Sequence, residues 1–314
     1  MIRRILAQHP QVRLFLGLFD SFLLQGCTIL CLGEQSILGL LAAKLGARKV
    51  SALMYFIYLM LQVIICCEKS AYMRDYLTAC AEQNGVSDRV ELVEEGWRKA
   101  GGLPSIQAIL GEPHYSSSVL AWHNLLFWFS LSSLPLPPEV TLCPQRARLC
   151  LLPMHFTDLY KIRSPLGTVE GFKMDHFDKI IQDASISCDA SVEPQPLWEY
   201  PGHALALPTQ VALFDLSQPC PTDKPSYTYS GTISLPSSLP LSGVALWMEW
   251  QLDAETCVSS GPMAEVVVGQ LVSWDMDSKQ GVHLLPSPRS ASCLSYTATF
   301  VPSEGDFSFQ FSTT

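Results

Sequence analysis

The sequence predicts a Rossmann-like α/β domain followed by an all-β domain of sandwich or barrel type, and three observations carry that reading. The apolar run Cys27-Thr28-Ile29-Leu30-Cys31-Leu32 closes on Gly33. Behind it comes a helical pattern of Ile37, Leu40, Leu41 and Leu45 that stops at Gly46. Strand, glycine turn, helix is the opening unit of a nucleotide-binding α/β domain. Pro135, Pro137 and Pro138 then break the pattern, which places a domain boundary after residue 138, with 1–138 as the first domain and 139–314 as the second. Beyond the boundary, short strands are punctuated by Gly, Pro and Ser.

The size fits both domains. With 314 residues, 48% of them hydrophobic and 16% charged, the chain has ample core for two modest units and is not a disordered protein. A formal charge of −9 argues against general affinity for nucleic acid and suits a basic protein partner. The eleven cysteines sit at irregular spacings, with no CxxC pair and no Cys/His cluster of zinc spacing. They read as reduced core thiols of an intracellular protein, and no metal site is expected. Pro10, Gln11, Arg13 and Asp20 interrupt the N-terminal apolar stretch, so it does not read as a signal peptide.

In chain order, residues 1–24 read as helix, 27–32 as the first strand, and Arg48-Lys49-Val50 as the start of a second. A cofactor fold needs an acidic residue at the end of that second strand, about 20 residues past the glycine turn, to hold the ribose hydroxyls. Glu68 lies 35 residues past Gly33, behind the uncharged segment 51–67. Taking out 54–67 joins Leu53 to Glu68 and shortens the separation to 21. The segment therefore reads as an insertion, with a native buried strand or helix as the rival; it is too short for a transmembrane helix. Tyr72, Tyr76, Leu77 and Cys80 share a helical face that ends at Asn84-Gly85. Val90 to Val93 is a third strand and Ile106 to Leu110 a fourth.

That fourth strand delivers a carboxylate, Glu112, to a strand end, where open α/β sheets place ligands. The aromatics after it, Tyr115, Trp122, Phe127, Trp128 and Phe129, have the spacing of core residues rather than of a substrate wall. His123 has no cysteine or acid at motif spacing and reads as structural. In the second domain the expected strands are 148–153, 210–216, 228–235, 244–252, 266–272, 282–285, 294–301 and 307–311. Phe307, Phe309 and Phe311 lie on one face of the last, and Ser308 and Gln310 on the other. A short helix at 174–181 and a polar excursion at 182–196 interrupt the strands.

Three blocks of this chain resemble the protein arginine methyltransferases, most closely the second, degenerate half of a tandem-domain member. They are Gly111-Glu112-Pro113 with Trp122-His123-Asn124-Leu125, then Tyr160 to Pro165 with Glu170-Gly171-Phe172, then Pro196 to Pro201. The resemblance implies a class I S-adenosylmethionine methyltransferase domain followed by a β-barrel, with a projecting arm near 173–196. It also implies S-adenosyl-L-methionine as cofactor, arginine monomethylation, basic proteins such as histones as substrates, and a place in cytoplasm and nucleus without membrane attachment.

Active members grip the guanidinium with two glutamates nine residues apart, since a planar cation with five donors is oriented by a pair of acceptors. Glu112 matches the first, while Ala121 stands at the second. The family's glycine turn carries three glycines; this one has Gly33 followed by Glu34-Gln35-Ser36. A Thr-His-Trp loop precedes the family's Lys-Gln pair; Met276-Asp277-Ser278 stand ahead of Lys279-Gln280 here. Glu112, Gly33 and Glu68 are thus the candidate catalytic and cofactor residues. The eroded motifs favour a pseudo-catalytic scaffold that pairs with the N-terminal methyltransferase half of the tandem enzyme. A competent enzyme with divergent motifs is the alternative. The active half is absent from these residues, so the sequence reads as a fragment, a short isoform or an incomplete gene model.

Overall fold

The computed structural model describes residues 27–33, 38–44, 47, 49–54, 56–57, 65–66, 71–93, 106–111, 118–125, 128–129, 139–159, 166–188, 190–221, 223–254, 256–276 and 278–314. Its first layer is a five-stranded sheet in the order β5 (Val90–Val93), β2 (Lys49–Met54), β1 (Thr28–Gly33), β6 (Ala108–Gly111), β7 (Thr141–Cys143). All four pairings are parallel. A parallel sheet is covered on both faces, which is why Ile29, Leu30 and Cys31, three successive residues, are all buried. Helix α1 (Leu38–Lys44) packs Ala42 and Ala43 into the same apolar cluster as Ile29 and Cys31, small side chains that permit close approach. Because β7 bonds to β6, the parallel sheet continues past Pro138 and the second domain opens at Arg146.

Helix α2 (Ala71–Gln83) ends where Asn84-Gly85 predicted: Asn84 Nδ2 and N both donate to Cys80 O, and Gly85 takes a φ of 65°. Its buried face differs from the expected one. Leu77 and Ala81 face the core, whereas Tyr76 is exposed, its hydroxyl-bearing ring tolerating water where an aliphatic chain would not. Between β2 and α2, β3 (Phe56–Ile57) pairs antiparallel with β4 (Ile65–Cys66) as a two-stranded unit that, among the described residues, does not join the parallel sheet.

The second domain wraps two antiparallel sheets around one core. The larger runs β11 (Glu193–Gln195), β17 (Gln280–Arg289), β15 (Leu241–Gln251), β8 (Arg146–Phe156), β12 (Gly202–Ala204), with β13 (Thr209–Asp215) also on β8 and β16 (Cys257–Ser259) on β15. The smaller is β14 (Tyr227–Ser234), β18 (Cys293–Val301), β19 (Asp306–Thr313). Leu149, Leu246 and Met248 of the first sheet and Leu294, Ala298 and Phe300 of the second belong to one buried cluster, as a barrel requires. Phe307 and Phe309 are buried and Ser308 and Gln310 exposed, following the predicted alternation.

Two expectations are corrected here. Residues 266–272 are a loop, not a strand: their backbone bonds go sideways, Gly269 N to Ala204 O and Val272 N to Gly202 O, around a turn at Gly269 with φ 81°. The helix expected at 174–181 runs from Asp175 to Cys188 as α3, and the polar stretch after it contains β11, paired with β17. Ahead of α3, β9 (Thr168–Val169) and β10 (Phe172–Lys173) make a hairpin. Asp178 pins it to the helix by accepting from the amides of Leu166 (2.7 Å) and Gly167 (2.8 Å).

Candidate functional site

The strand order fixes where a ligand site belongs. From β1 the chain moves outward through β2 to β5 and then returns to the other side of β1 as β6, so the topological switch point lies between β1 and β6. Register shows how closely their ends meet: Gly33 pairs with Met54, and Leu32 has Leu53 on one side and Gly111 on the other. Gly33, the glycine-turn candidate, therefore ends β1 at the centre of this crevice. Glu112 follows Gly111 directly in the chain, but Glu112 and Glu68 both lie outside the described residues. At the end of β2, where the ribose-binding acid is required, the last residue is Met54.

Ala121, at the position where the resemblance implies the second clamp glutamate, opens a 3₁₀ turn, Ala121–Leu125. It is not on the rim of a cleft: with 9% exposure, it belongs to the same cluster as Trp122, Leu125 and the barrel interior. Trp122 is fully buried, its ring 5.3 Å from Phe309 and 6.2 Å from Phe307. A side chain at Gly281 of β17 would collide with it, so that glycine is required by close approach rather than by a turn. Trp128 is buried as well and donates to Gln218 O at 2.6 Å. The core assignment of these two aromatics holds; Tyr115 and Phe127 lie outside the described residues.

His123 has the structural role expected, through a partner that sequence did not reveal. Its Nδ1 accepts from Leu120 N at 3.4 Å, which leaves Nε2 to carry the proton toward Asp306 Oδ1, also at 3.4 Å. The same carboxylate accepts from Trp122 Nε1 at 2.7 Å and from Phe307 N at 2.7 Å. Burial works to raise the Asp306 carboxyl, but the hydrogen bonds from His123, the Phe307 amide and the Trp122 indole outweigh it and hold the group below the ordinary carboxylate range. Asp306 is 184 residues from Trp122 in sequence, so no local pattern could have flagged it.

Of the Lys-Gln pair, Lys279 is exposed and Gln280 packs inward. Gln280 is fully buried and its Nε2 donates to Ser260 O (2.7 Å) and Ser278 Oγ (3.0 Å), while Met276 is 68% exposed. Asp277 lies outside the described residues. Burial pushes the thiols of Cys143, Cys150 and Cys220 up to about 12, which keeps them protonated and unreactive. No group of three metal-ligating side chains occurs among the described residues, and none of their helices is long and apolar enough to cross a membrane.

No family model matches the sequence. Individual relatives do. The chain is 37% identical over 300 residues to protein arginine N-methyltransferase 7 of Drosophila grimshawi, covering 90% of this chain and 40% of that protein. It is 33% identical over 319 residues to the enzyme of the same name from Drosophila melanogaster, covering 98% and 43%. The chain belongs to the protein arginine N-methyltransferase 7 family. The Xenopus laevis family member is 32% identical over 297 residues, 89% of this chain and 41% of that one. The chain thus spans about two fifths of the length of these relatives. Solved structures agree on the fold. A Trypanosoma brucei PRMT1 enzyme-prozyme heterotetrameric complex with AdoHcy superposes with a TM-score of 0.65 at 13% identity, covering 96% of this chain and 92% of that one. A crystal structure of PRMT6 gives 0.63 at 14% identity, covering 100% and 99%.

Proposed function

We propose that this chain is the degenerate C-terminal module of a tandem arginine methyltransferase and acts as a scaffold, not as a catalyst. The burial of Ala121 carries the reading. A clamp position that has joined an aromatic core is refilled, not merely missing an oxygen, and a glutamate there would lose its hydration without gaining a guanidinium. S-adenosyl-L-methionine is the family's cofactor, and the residues at the switch point fit it poorly: one glycine ends β1 and a methionine ends β2 where a carboxylate is needed. No methyl transfer is therefore routed through this chain. Residues 54–67, in which Phe56–Ile57 pairs with Ile65–Cys66 while Met54 is the last residue of β2, are read as an insertion at the end of that strand.

What remains useful is the arm. Its hairpin and α3 expose Leu166, Val169, Phe172, Phe177, Ile180 and Ile181, with Phe172 at 73%, more apolar surface than one helix and hairpin leave to water without a partner. The partner proposed is the N-terminal methyltransferase half of the same tandem enzyme, whose arginine substrates would be basic proteins such as histones. One of the structural neighbours is itself an enzyme-prozyme complex, an assembly of the kind this reading needs.

Co-purification with a separately expressed N-terminal half tests it. The chain is expected to bind that half, to lose binding when Phe172 and Ile180 are both changed to Asp, and to show neither calorimetric uptake of S-adenosylmethionine nor methylation of arginine peptides alone. Unaided methylation abolished by Glu112→Gln would overturn the scaffold reading. Deleting 54–67 should raise soluble yield and melting temperature, since the uncharged run then no longer separates β2 from α2. A lower melting temperature would make those residues native core.

A further inference from the structure

We propose that His155 and His203 form a two-imidazole site for a divalent transition cation that favours nitrogen ligands. The two residues are directly opposite each other on the antiparallel strands β8 and β12, which puts both side chains on one face of the sheet. Their ring centroids are 6.2 Å apart with planes at 46°. Two imidazoles bound to one ion at a metal–nitrogen distance of about 2.0–2.1 Å have centroids roughly 5–6.5 Å apart, so the spacing asks for ring rotation and no backbone movement.

The protonation pattern suits ligation. His155 Nδ1 is 2.8 Å from Pro240 O, and a carbonyl can only accept, so Nδ1 carries the hydrogen and Nε2 keeps a lone pair. A backbone carbonyl that fixes the tautomer in this way is the usual outer support of a metal-bound histidine. His203 Nδ1 is buried and has no hydrogen-bond partner, a state that costs free energy and that a ring rotated onto a cation would relieve. Both residues are half-buried, hence reachable. Water completes the coordination, because no third protein ligand joins them among the described residues. Such a site is open and exchangeable, unlike the closed four-ligand sites that hold folds together.

Calorimetric titration of the whole chain with Zn2+, with Mg2+ in parallel, tests the assignment. One Zn2+ per chain with a micromolar dissociation constant is expected, and no Mg2+, which prefers oxygen ligands. His155→Gln and His203→Asn should each weaken Zn2+ by about tenfold or more, whereas Cys257→Ser and His283→Ala should not change it. Absence of Zn2+ uptake, or uptake indifferent to both histidine variants, overturns the proposal. Should a variant fail to fold, the imidazole nitrogen spectrum of the unaltered chain decides. Zn2+ must shift the signals of His155 and His203 and leave those of the other five histidines in place.

Discussion

The positions expected to carry chemistry and the aromatic residues that join the turn to the barrel differ sharply. At the sheet, Met54 closes β2 where the family resemblance calls for an acid, and in the turn Ala121 stands where it calls for a second glutamate. At the barrel end, packing is dense: Trp122 and Trp128 are buried among Phe214, Phe307 and Phe309, and a carboxylate 184 residues away takes the indole hydrogen. The contrast follows from energetics. Exchanging an active-site carboxylate for a small apolar residue costs the fold little and can even stabilise it, because a clustered charge is removed. Removing a buried indole costs several kcal/mol and endangers a domain whose whole stability is of order 10 kcal/mol. In a module kept as the proposed scaffold, packing would therefore outlast catalysis.

The sharpest way to break this contrast is at Trp122. Trp122→Ala should cost about 3–5 kcal/mol in urea unfolding, because it leaves a cavity against Phe309 and Gly281. A loss under about 1 kcal/mol would mean that the barrel end is no better packed than the strand end. Next comes Ala121→Glu, which restores the family's second carboxylate in name. Buried in the core, it should destabilise by roughly 2 kcal/mol or more and confer no methylation. A variant that is stable and active would show an intact pocket and reverse the reading of this position.

The smallest effect belongs to Asp306→Asn, at about 1 kcal/mol near neutral pH, since an amide oxygen can still accept from Trp122. Its pH dependence is the informative part. The folded carboxyl is held below its unfolded value, so its contribution is fully present above about pH 4 and is lost as pH falls through the folded pKa. The difference between the two chains should shrink on acidification below about pH 4, read from paired melting curves; a difference that grows there would contradict the hydrogen-bonding described.

Local pattern revealed the elements whose burial alternates at their own period. Val90–Val93 was read to the residue, and the Phe307, Phe309, Phe311 face follows directly from its spacing. It failed where long-range partners decide. Val266 and Val267 look like strand residues, yet the Gly202–Ala204 backbone captures their loop. Tyr76 has the helical spacing of a core residue but faces water. At the candidate site the departures from the family pattern were legible, whereas the burial of Ala121 was not. Alanine carries no polarity signal, so only the contacts of Ala121 show that it lies in the core. Asp306 was invisible because its side-chain partners, Trp122 and His123, come from the other domain.

The arm returns to the barrel through β11, whose Pro194 and Gln195 pair with Gly281 and Gln280 of β17. Gly281 is the residue on which the Trp122 ring rests, and Gln280 is the one that holds Ser260. The arm's downstream root is thus riveted beside the keystone of the domain junction. A partner docked on α3, as proposed, would pull on the same strand that seats the indole, so that docking strain and interdomain rigidity would share one mechanical path.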